Sequence, residues 1–322
     1  MSPAPQPIAT RTSPLALAQA RLVQQRLAAV WDVADAEAAF PILGLTTTGD
    51  RITDRALLEA GGKGLFTKEL ERALMDGEAS FAVHSMKDVP ARLPDGLEIA
   101  CVLEREDPRD VLLAAGDAAR VADLPEGARL GTASIRRQAQ AMHLRPDLEP
   151  VLLRGNVDTR LSKLAAGEVD ATFLARAGLR RLGRDEAERP ALAPEEMLPA
   201  PAQGAIGIEI RADDEAARQA LAPLNDLPSA ACVAAERAFL AALDGSCRTP
   251  IAAYATLDGA TLFLRGEALT PDGSHKWADA ARIALPEIET GAAARIGKRL
   301  GEQVAAAGGE TLRRAIAESG GT

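Results

Sequence analysis

REDPRD, residues 105–110, is a polar, proline-bearing break, and the chain on either side of it reads as two similar β/α sets. Upstream, three apolar runs read as buried strands: PILGLTTT (41–48), ASFAVHS (79–85) and GLEIACVL (96–103). A helix is expected near Thr67–Met75, between the first two. Earlier still, Ser13 followed by Pro14 makes a helix start, an N-cap and then proline in the first turn. Leu15, Leu22, Val23, Leu27 and Val30 then recur at helical spacing. Downstream come ARLGTAS (128–134), a helix through Ala141, EPVLLRG (149–155), a helix to Ala166 that Gly167 can end, and DATFLARAGL (170–179). The proline-rich RPALAPEEMLPAPAQGA (189–205) reads as a return connection, and AIGIEIR (205–211) as one more buried strand. A crossing and a return between two β/α lobes put the ligand crevice where strand ends meet helix N-termini. Free backbone N–H groups there favour carboxylates. From Asn225 the pattern changes to a small α+β unit. SAACVAAERAFLAAL (229–243) is an amphipathic helix, two or three strands follow around 250–285, and a helix closes the chain after Glu289.

At 322 residues the chain has room for two or three domains of roughly 100–200 residues each. Hydrophobic residues at 47% and charged residues at 26% are globular values. Aromatics are only 3%, so the core must be built mainly from Leu, Val, Ile and Ala. A net charge of −9 opposes general binding to nucleic acid or to an anionic membrane, both of which need a basic footprint. An acidic small molecule stays admissible because the arginines cluster locally. MSPAPQPIATRTSP lacks the basic and apolar regions of a secretory signal, and no stretch approaches the roughly 18 apolar residues of a membrane span, so a cytoplasmic location is expected. The three cysteines are odd in number and lack metal-ligand spacing; reduced thiols and no metal are expected.

HSMKDVP (84–90) ends a strand and stops at a proline. Lys87 and Asp88 are either a solvated pair at a turn or the floor of the crevice. In the second case the Asp88 carboxylate meets a developing cation and shuttles a proton. His84 reads as a satisfied buried histidine. TASIRRQ (132–138) sets Thr132, Ser134, Arg136 and Arg137 at a strand-to-helix junction, where one hydroxyl serves as N-cap by default. Two arginines at a helix N-terminus oppose the helix dipole unless an anion sits between them, and guanidinium forks suit carboxylates. Arg154 in RGNVDTR, with Arg160 a turn or so later, repeats the arrangement after the next strand, as do Arg11 and Ser13 after the first. GGKGLF (61–66) lacks the spacing of a phosphate loop; it reads as a mobile loop in which Lys63 and Phe66 can cover a crevice. Cys101 and Cys232 read as core residues. Cys247, in DGSCRTP beside Arg248, is either a bland loop thiol or one activated by its neighbouring cation.

Taken together, IATRTSPLALAQ, GGKGLFTKEL, FAVHSMKDVP, EREDPRD, GTASIRRQ, LRGNVDTRLSKL, LARAGLRRLG, PAQGAIGIE and LDGSCRTPIAAY resemble the porphobilinogen deaminase (hydroxymethylbilane synthase) family, a likeness that thins beyond about residue 260. The fold so implied is α/β: two similar β/α lobes of the periplasmic-binding-protein type around a cleft, plus a small α+β C-terminal domain. Lobe 1 is expected over 1–104 and 203–223, lobe 2 over 105–202, and the third domain over 224–322. The resemblance implies a transferase that joins four porphobilinogen units with loss of ammonia, in heme biosynthesis. It also implies a monomer with a dipyrromethane cofactor held by a thioether to Cys247. Asp88 matches the catalytic carboxylate. Ser13, Lys87, Thr132, Ser134, Arg136, Arg137, Arg154 and Gly155 match cofactor-binding positions. Arg11, Gln19, Arg154, Arg160, Arg181 and Gln203 match substrate-binding ones, while Lys63 and Phe66 match the covering loop. Two residues depart from the family pattern: Ala133 stands where many members have serine, and Arg248 where glutamine is frequent. The rival reading is a two-lobed protein that captures small anions without chemistry.

Overall fold

A computed structural model describes residues 5–51, 64–244, 249–285 and 287–320. The chain opens with strands β1 (Ile8–Arg11), β2 (Ile42–Leu45), β3 (Phe81–Ser85) and β4 (Leu97–Val102). It crosses to β5 (Asp110–Ala114), β6 (Arg129–Thr132), β7 (Glu149–Leu152) and β8 (Ala171–Ala175), then returns as β9 (Ile206–Arg211). Strands β10 (Ile251–Asp258), β11 (Thr261–Leu269) and β12 (Lys276–Ala284) follow.

Among the described residues these strands form three sheets, ordered β2-β1-β3-β9-β4, β5-β8-β6-β7 and β10-β11-β12. The returning strand β9 is inserted between β3 and β4 and runs antiparallel to both, with His84 opposite Gly207 and Val83 opposite Ile208. The crossing and return read from REDPRD and AIGIEIR therefore hold. Strand β5 is an addition that the sequence reading did not include. It starts at Asp110, the last residue of the polar break, and runs antiparallel to β8. A lone acid followed by Val-Leu-Leu was its signal. The helix expected near Thr67–Met75 spans Lys68–Met75, and the one read through Ala141 runs on to Leu144. The closing helix, Thr290–Gly320, is broken at Gly309, where φ is 54°.

Each sheet buries its own apolar set: Val23, Leu27, Phe81 and Ile208 in the first unit, Leu112, Leu130 and Phe173 in the second, and Phe239, Leu264 and Leu300 in the third. Cys101 and Cys232 belong to the first and third of these cores, as expected. Burial pushes both thiols up to about 12. The helix Leu227–Ala242 ties the units together. Its fully buried Glu236 accepts two bonds from Arg105 on the crossing segment (2.6 and 2.9 Å), one from Ala202 N on the return (2.6 Å), and one from Ala255 N on β10 (2.7 Å).

Candidate active site

Strand β3 delivers the HSMKDVP turn to the cleft. Buried Met86 begins a single 3-10 turn over Met86–Asp88 and donates its backbone N–H to Ala205 O on the return segment (3.0 Å). Asp88 ends that turn with 30% of its side chain accessible, and Arg11 Nη1 lies 3.8 Å from its Oδ2. Arg11, the last residue of β1, also pairs with Asp50 and lies over the Phe66 ring, 4.3 Å from its centroid. Gln19 and Ser85 exchange hydrogen bonds (2.9 and 3.1 Å). Arg11, Gln19, Phe66, His84, Ser85 and Asp88 line one pocket. Ser13 caps the helix Pro14–Val30 through Ala16 N, which fixes the approach from β1. His84 is buried against Glu209 (Nε2 to Oε2, 2.8 Å), which matches the satisfied histidine expected of it.

Lys87 behaves unlike a freely solvated lysine. Burial pushes its ammonium down to about 8; Arg137 and Arg136 add to that fall, while Asp88 and Asp110 resist it.

The second lobe supplies the arginines. Ser134 caps the helix Ile135–Leu144 through Arg137 N, and Thr132 Oγ1 accepts from Ser134 N (3.0 Å), so both hydroxyls shape the junction. Arg136 and Arg137 are buried, and the anion between them is Asp110. One oxygen of Asp110 accepts from Arg136 Nη2 (2.8 Å) and Arg137 Nε (3.1 Å). The other accepts from Arg137 Nη2 (2.8 Å) and Gln203 Nε2 (2.7 Å). Gln203, which the resemblance matches to a substrate-binding position, is buried and serves this network. Burial alone would raise the Asp110 carboxyl, but Arg137 and Arg136 hold it well below the usual carboxylate range. Sequence reasoning missed Asp110 as a site residue because no pattern announces the partner of a paired guanidinium.

After β7, Gly155 adopts φ 122°, and a Cβ there would lie 2.6 Å from Thr159 Cγ2, so the turn into the helix Val157–Ala165 demands glycine. Arg160 Nε donates to Gly155 O (2.9 Å). Burial, then Arg137 and Arg154, push the Arg160 guanidinium down to about 10 against the pull of Asp88. Arg181 belongs to a different neighbourhood: it donates to Gly204 O (2.6 Å), and its charge interacts with Glu106 and Arg26. Lys63 and Cys247 lie outside the described residues, as does Arg248.

Lys87, Arg136, Arg137, Arg154 and Arg160 are thus electrostatically linked to one another and to the carboxylates of Asp88 and Asp110. Among the described residues these cations gather around the two carboxylates, with Glu267 also acting on Arg136. Arg136 Nε is buried without a partner among the described residues. Both observations fit a polycarboxylate such as dipyrromethane. Among the described residues no cluster of His, Cys, Asp or Glu is arranged to hold a metal ion, and no helix is long and apolar enough to cross a membrane.

The fold and the cleft define a two-lobed α/β protein in which clustered cations lie within electrostatic reach of the part-exposed Asp88 carboxylate. Residues 7–219 match the family described as "Porphobilinogen deaminase, dipyromethane cofactor binding domain", and residues 230–306 match "Porphobilinogen deaminase, C-terminal domain". The chain belongs to the porphobilinogen deaminase family, which makes it a transferase. It is 52% identical over 312 residues to the porphobilinogen deaminase of Caulobacter vibrioides (strain NA1000 / CB15N), covering 95% of this chain and 96% of that one. It is likewise 52% identical over 312 residues to that of Phenylobacterium zucineum, covering 95% and 97%. Among solved structures, a putative methionine-binding lipoprotein from Bacillus subtilis aligns at TM-score 0.43 and 12% identity, over 69% of this chain and 90% of that one. The periplasmic aliphatic sulphonate binding protein of Escherichia coli aligns at TM-score 0.40 and 16% identity, over 76% and 71%.

Proposed function

We propose that the chain is a hydroxymethylbilane synthase that joins four porphobilinogen molecules head to tail, releasing one ammonia for each. The observation that carries this reading is the placement of Asp88, half open, beside Lys87 and within the electrostatic reach of Arg160. Porphobilinogen bears an aminomethyl group and two carboxylate side chains. Lys87, Arg137, Arg154 and Arg160 hold those carboxylates, with Arg11 and Gln19 on the facing wall. Fixing the reacting carbons in this way supplies several kcal/mol, roughly, by orientation alone.

Asp88 accepts hydrogen bonds from the pyrrole N–H. As ammonia leaves the substrate, Asp88 stabilises the cation that forms, since a fixed carboxylate in a partly desolvated cleft is worth more than in water. After the new carbon–carbon bond forms, Asp88 assists removal of the ring proton, and the pyrrole regains aromaticity. When attached to Cys247, dipyrromethane would supply the free α-carbon from which the chain grows, and water, adding as the bond to the fourth-from-last ring breaks, would release the tetrapyrrole and leave the two tethered rings in place. Lys87, Ser13, Thr132, Ser134, Arg136, Arg137, Arg154 and Gly155 are the proposed holding residues of dipyrromethane. Phe66, stacked under Arg11, is the proposed covering residue of the cleft, with Lys63 assigned to the same role from the sequence alone, and Arg181 and Gln203 support the return segment. We assign the lobes to 1–104 with 203–223 and to 105–202, the third domain to 224–322, and the molecule to the cytoplasm as a monomer.

Incubation with porphobilinogen, with product read by absorbance after oxidation, tests the reading together with intact mass. The expected result is a tetrapyrrole product and a protein heavier by two pyrrole units at Cys247. An unmodified Cys247 in active protein contradicts it, and absence of turnover favours the anion-capturing alternative.

A further inference from the structure

The helix Leu227–Ala242 does more than join the units. Its Glu236 grips the crossing and return segments, and the next residue, Arg237, reaches a different target. Half-buried Arg237 donates from Nη1 to Val89 O (3.1 Å) and from Nη2 to Pro90 O (2.7 Å) and Ala91 O (3.4 Å). These three carbonyls follow Asp88 directly in the chain. On the other side of Asp88, the turn is anchored by Met86 N on Ala205 O (3.0 Å). The carboxylate therefore sits on a short turn held on both sides, and the far side combines the Arg237 guanidinium with buried Val89, which packs with Ala230 and Val233 of the same helix.

Carbonyls arrayed around a guanidinium give a geometric hold, because its N–H groups form a rigid planar fork. Burial draws Arg237 down to about 10, with Glu209 opposing that fall, so the side chain stays charged at neutral pH. The same helix ends at Ala242, a few residues before Cys247 in the chain. One rigid element thus leads to the cysteine loop and also clamps the backbone beyond the catalytic carboxylate. We propose that Arg237 is a positioning residue for Asp88, holding its turn in register with the helix that leads to the cofactor cysteine. A displacement of about 1 Å at a reacting group is enough to lose about a hundredfold in rate, so even a partial loosening is measurable.

The test is a double-mutant cycle on the full-length protein, each form checked by intact mass for its covalent adduct. The forms are the unchanged protein, Arg237→Gln, Asp88→Glu, and the two changes together. Arg237→Gln is expected to lower kcat about tenfold with KM held within about twofold, because the clamp acts on the reacting carboxylate rather than on carboxylate binding. With Asp88→Glu the carboxylate is already displaced, and Arg237→Gln is then expected to lower kcat less than about threefold. Arg237→Lys, which keeps a charged donor to carbonyls, should recover part of the loss. Equal fold losses in both backgrounds would show a strut that acts independently of Asp88, and would overturn the proposal. So would an Arg237→Gln kcat within about twofold of the unchanged protein. If Arg237→Gln does not fold, Arg237→Lys goes through the same cycle under the same criteria. A role for Asp88 in pyrrole condensation is presupposed. Failure of that role appears as lost product or adduct in the unchanged protein, whereas failure of the clamp appears only in the variants.

Discussion

Replacing Asp110 by Asn should destabilise the protein by about 3–5 kcal/mol at neutral pH, the usual loss when one partner of a buried ion pair is removed. Asp110 is fully buried and accepts four hydrogen bonds, two on each oxygen, three of them from guanidinium groups. Asn keeps one acceptor oxygen. Whichever way the amide is turned, its NH2 faces two donors, and Arg136 and Arg137 lose their compensating charge. Urea unfolding followed by circular dichroism measures the loss, and an unchanged m-value confirms that unfolding exposes the same surface. The sign of the pH effect follows from the shift. Asp110 is held below its ordinary value of 3.8, so its contribution is present above that pH and is lost as pH falls through the folded value. The difference between the unchanged protein and Asp110→Asn should therefore shrink as pH drops below about 4. A loss under about 1 kcal/mol at pH 7, or a difference that grows in acid, would refute the picture of Asp110 as the buried counter-ion.

Lys87 should lose its charge near pH 8 in the free protein, so KM for porphobilinogen should rise as pH passes through 8, and Lys87→Arg should remove that limb. A KM that is flat up to pH 9.5 in the unchanged protein counts against a carboxylate-holding role. Cys101 and Cys232, with thiols raised to about 12, should resist iodoacetamide at pH 8 in the native protein and react only after denaturation. Peptide mapping that finds either one alkylated in the native state contradicts their burial. Arg137→Gln should weaken substrate binding and lower the fraction of protein carrying the adduct; normal loading with unchanged kinetics would remove Arg137 from the holding set.

Much of this was legible because the chain is locally consistent. Phe81–His84 is buried residue by residue, and the apolar Phe-Ala-Val run announces a strand covered on both faces. Ser13–Pro14 announces a helix start through its own backbone chemistry, as the cap seen on Pro14–Val30 bears out. The positions of Asp88, Arg137 and Arg160 followed from strand-to-helix junctions, which a single lobe's pattern suffices to locate. Partners across sequence distance were not legible. Asp110 meets Arg136 and Arg137 only after β5 pairs with β8, and Arg237 meets the segment after Asp88 only after the third unit docks. Nor does a sequence show that a lysine beside an aspartate, as in HSMKDVP, is drawn down by burial among arginines. The resemblance matches Gln203 to a substrate-binding position, and its buried bond to Asp110 depends on the return segment's path.

The central claim is that the Asp88 carboxylate stabilises the electron-poor carbon left when ammonia departs. The most direct measurement is kcat for Asp88→Asn in protein whose adduct is verified by intact mass, since Asn keeps the side chain's size while removing its charge and its capacity to take up a proton. A fall of about a hundredfold or more, with the fold and the adduct retained, is the predicted result. A kcat within about fivefold of the unchanged protein would contradict it.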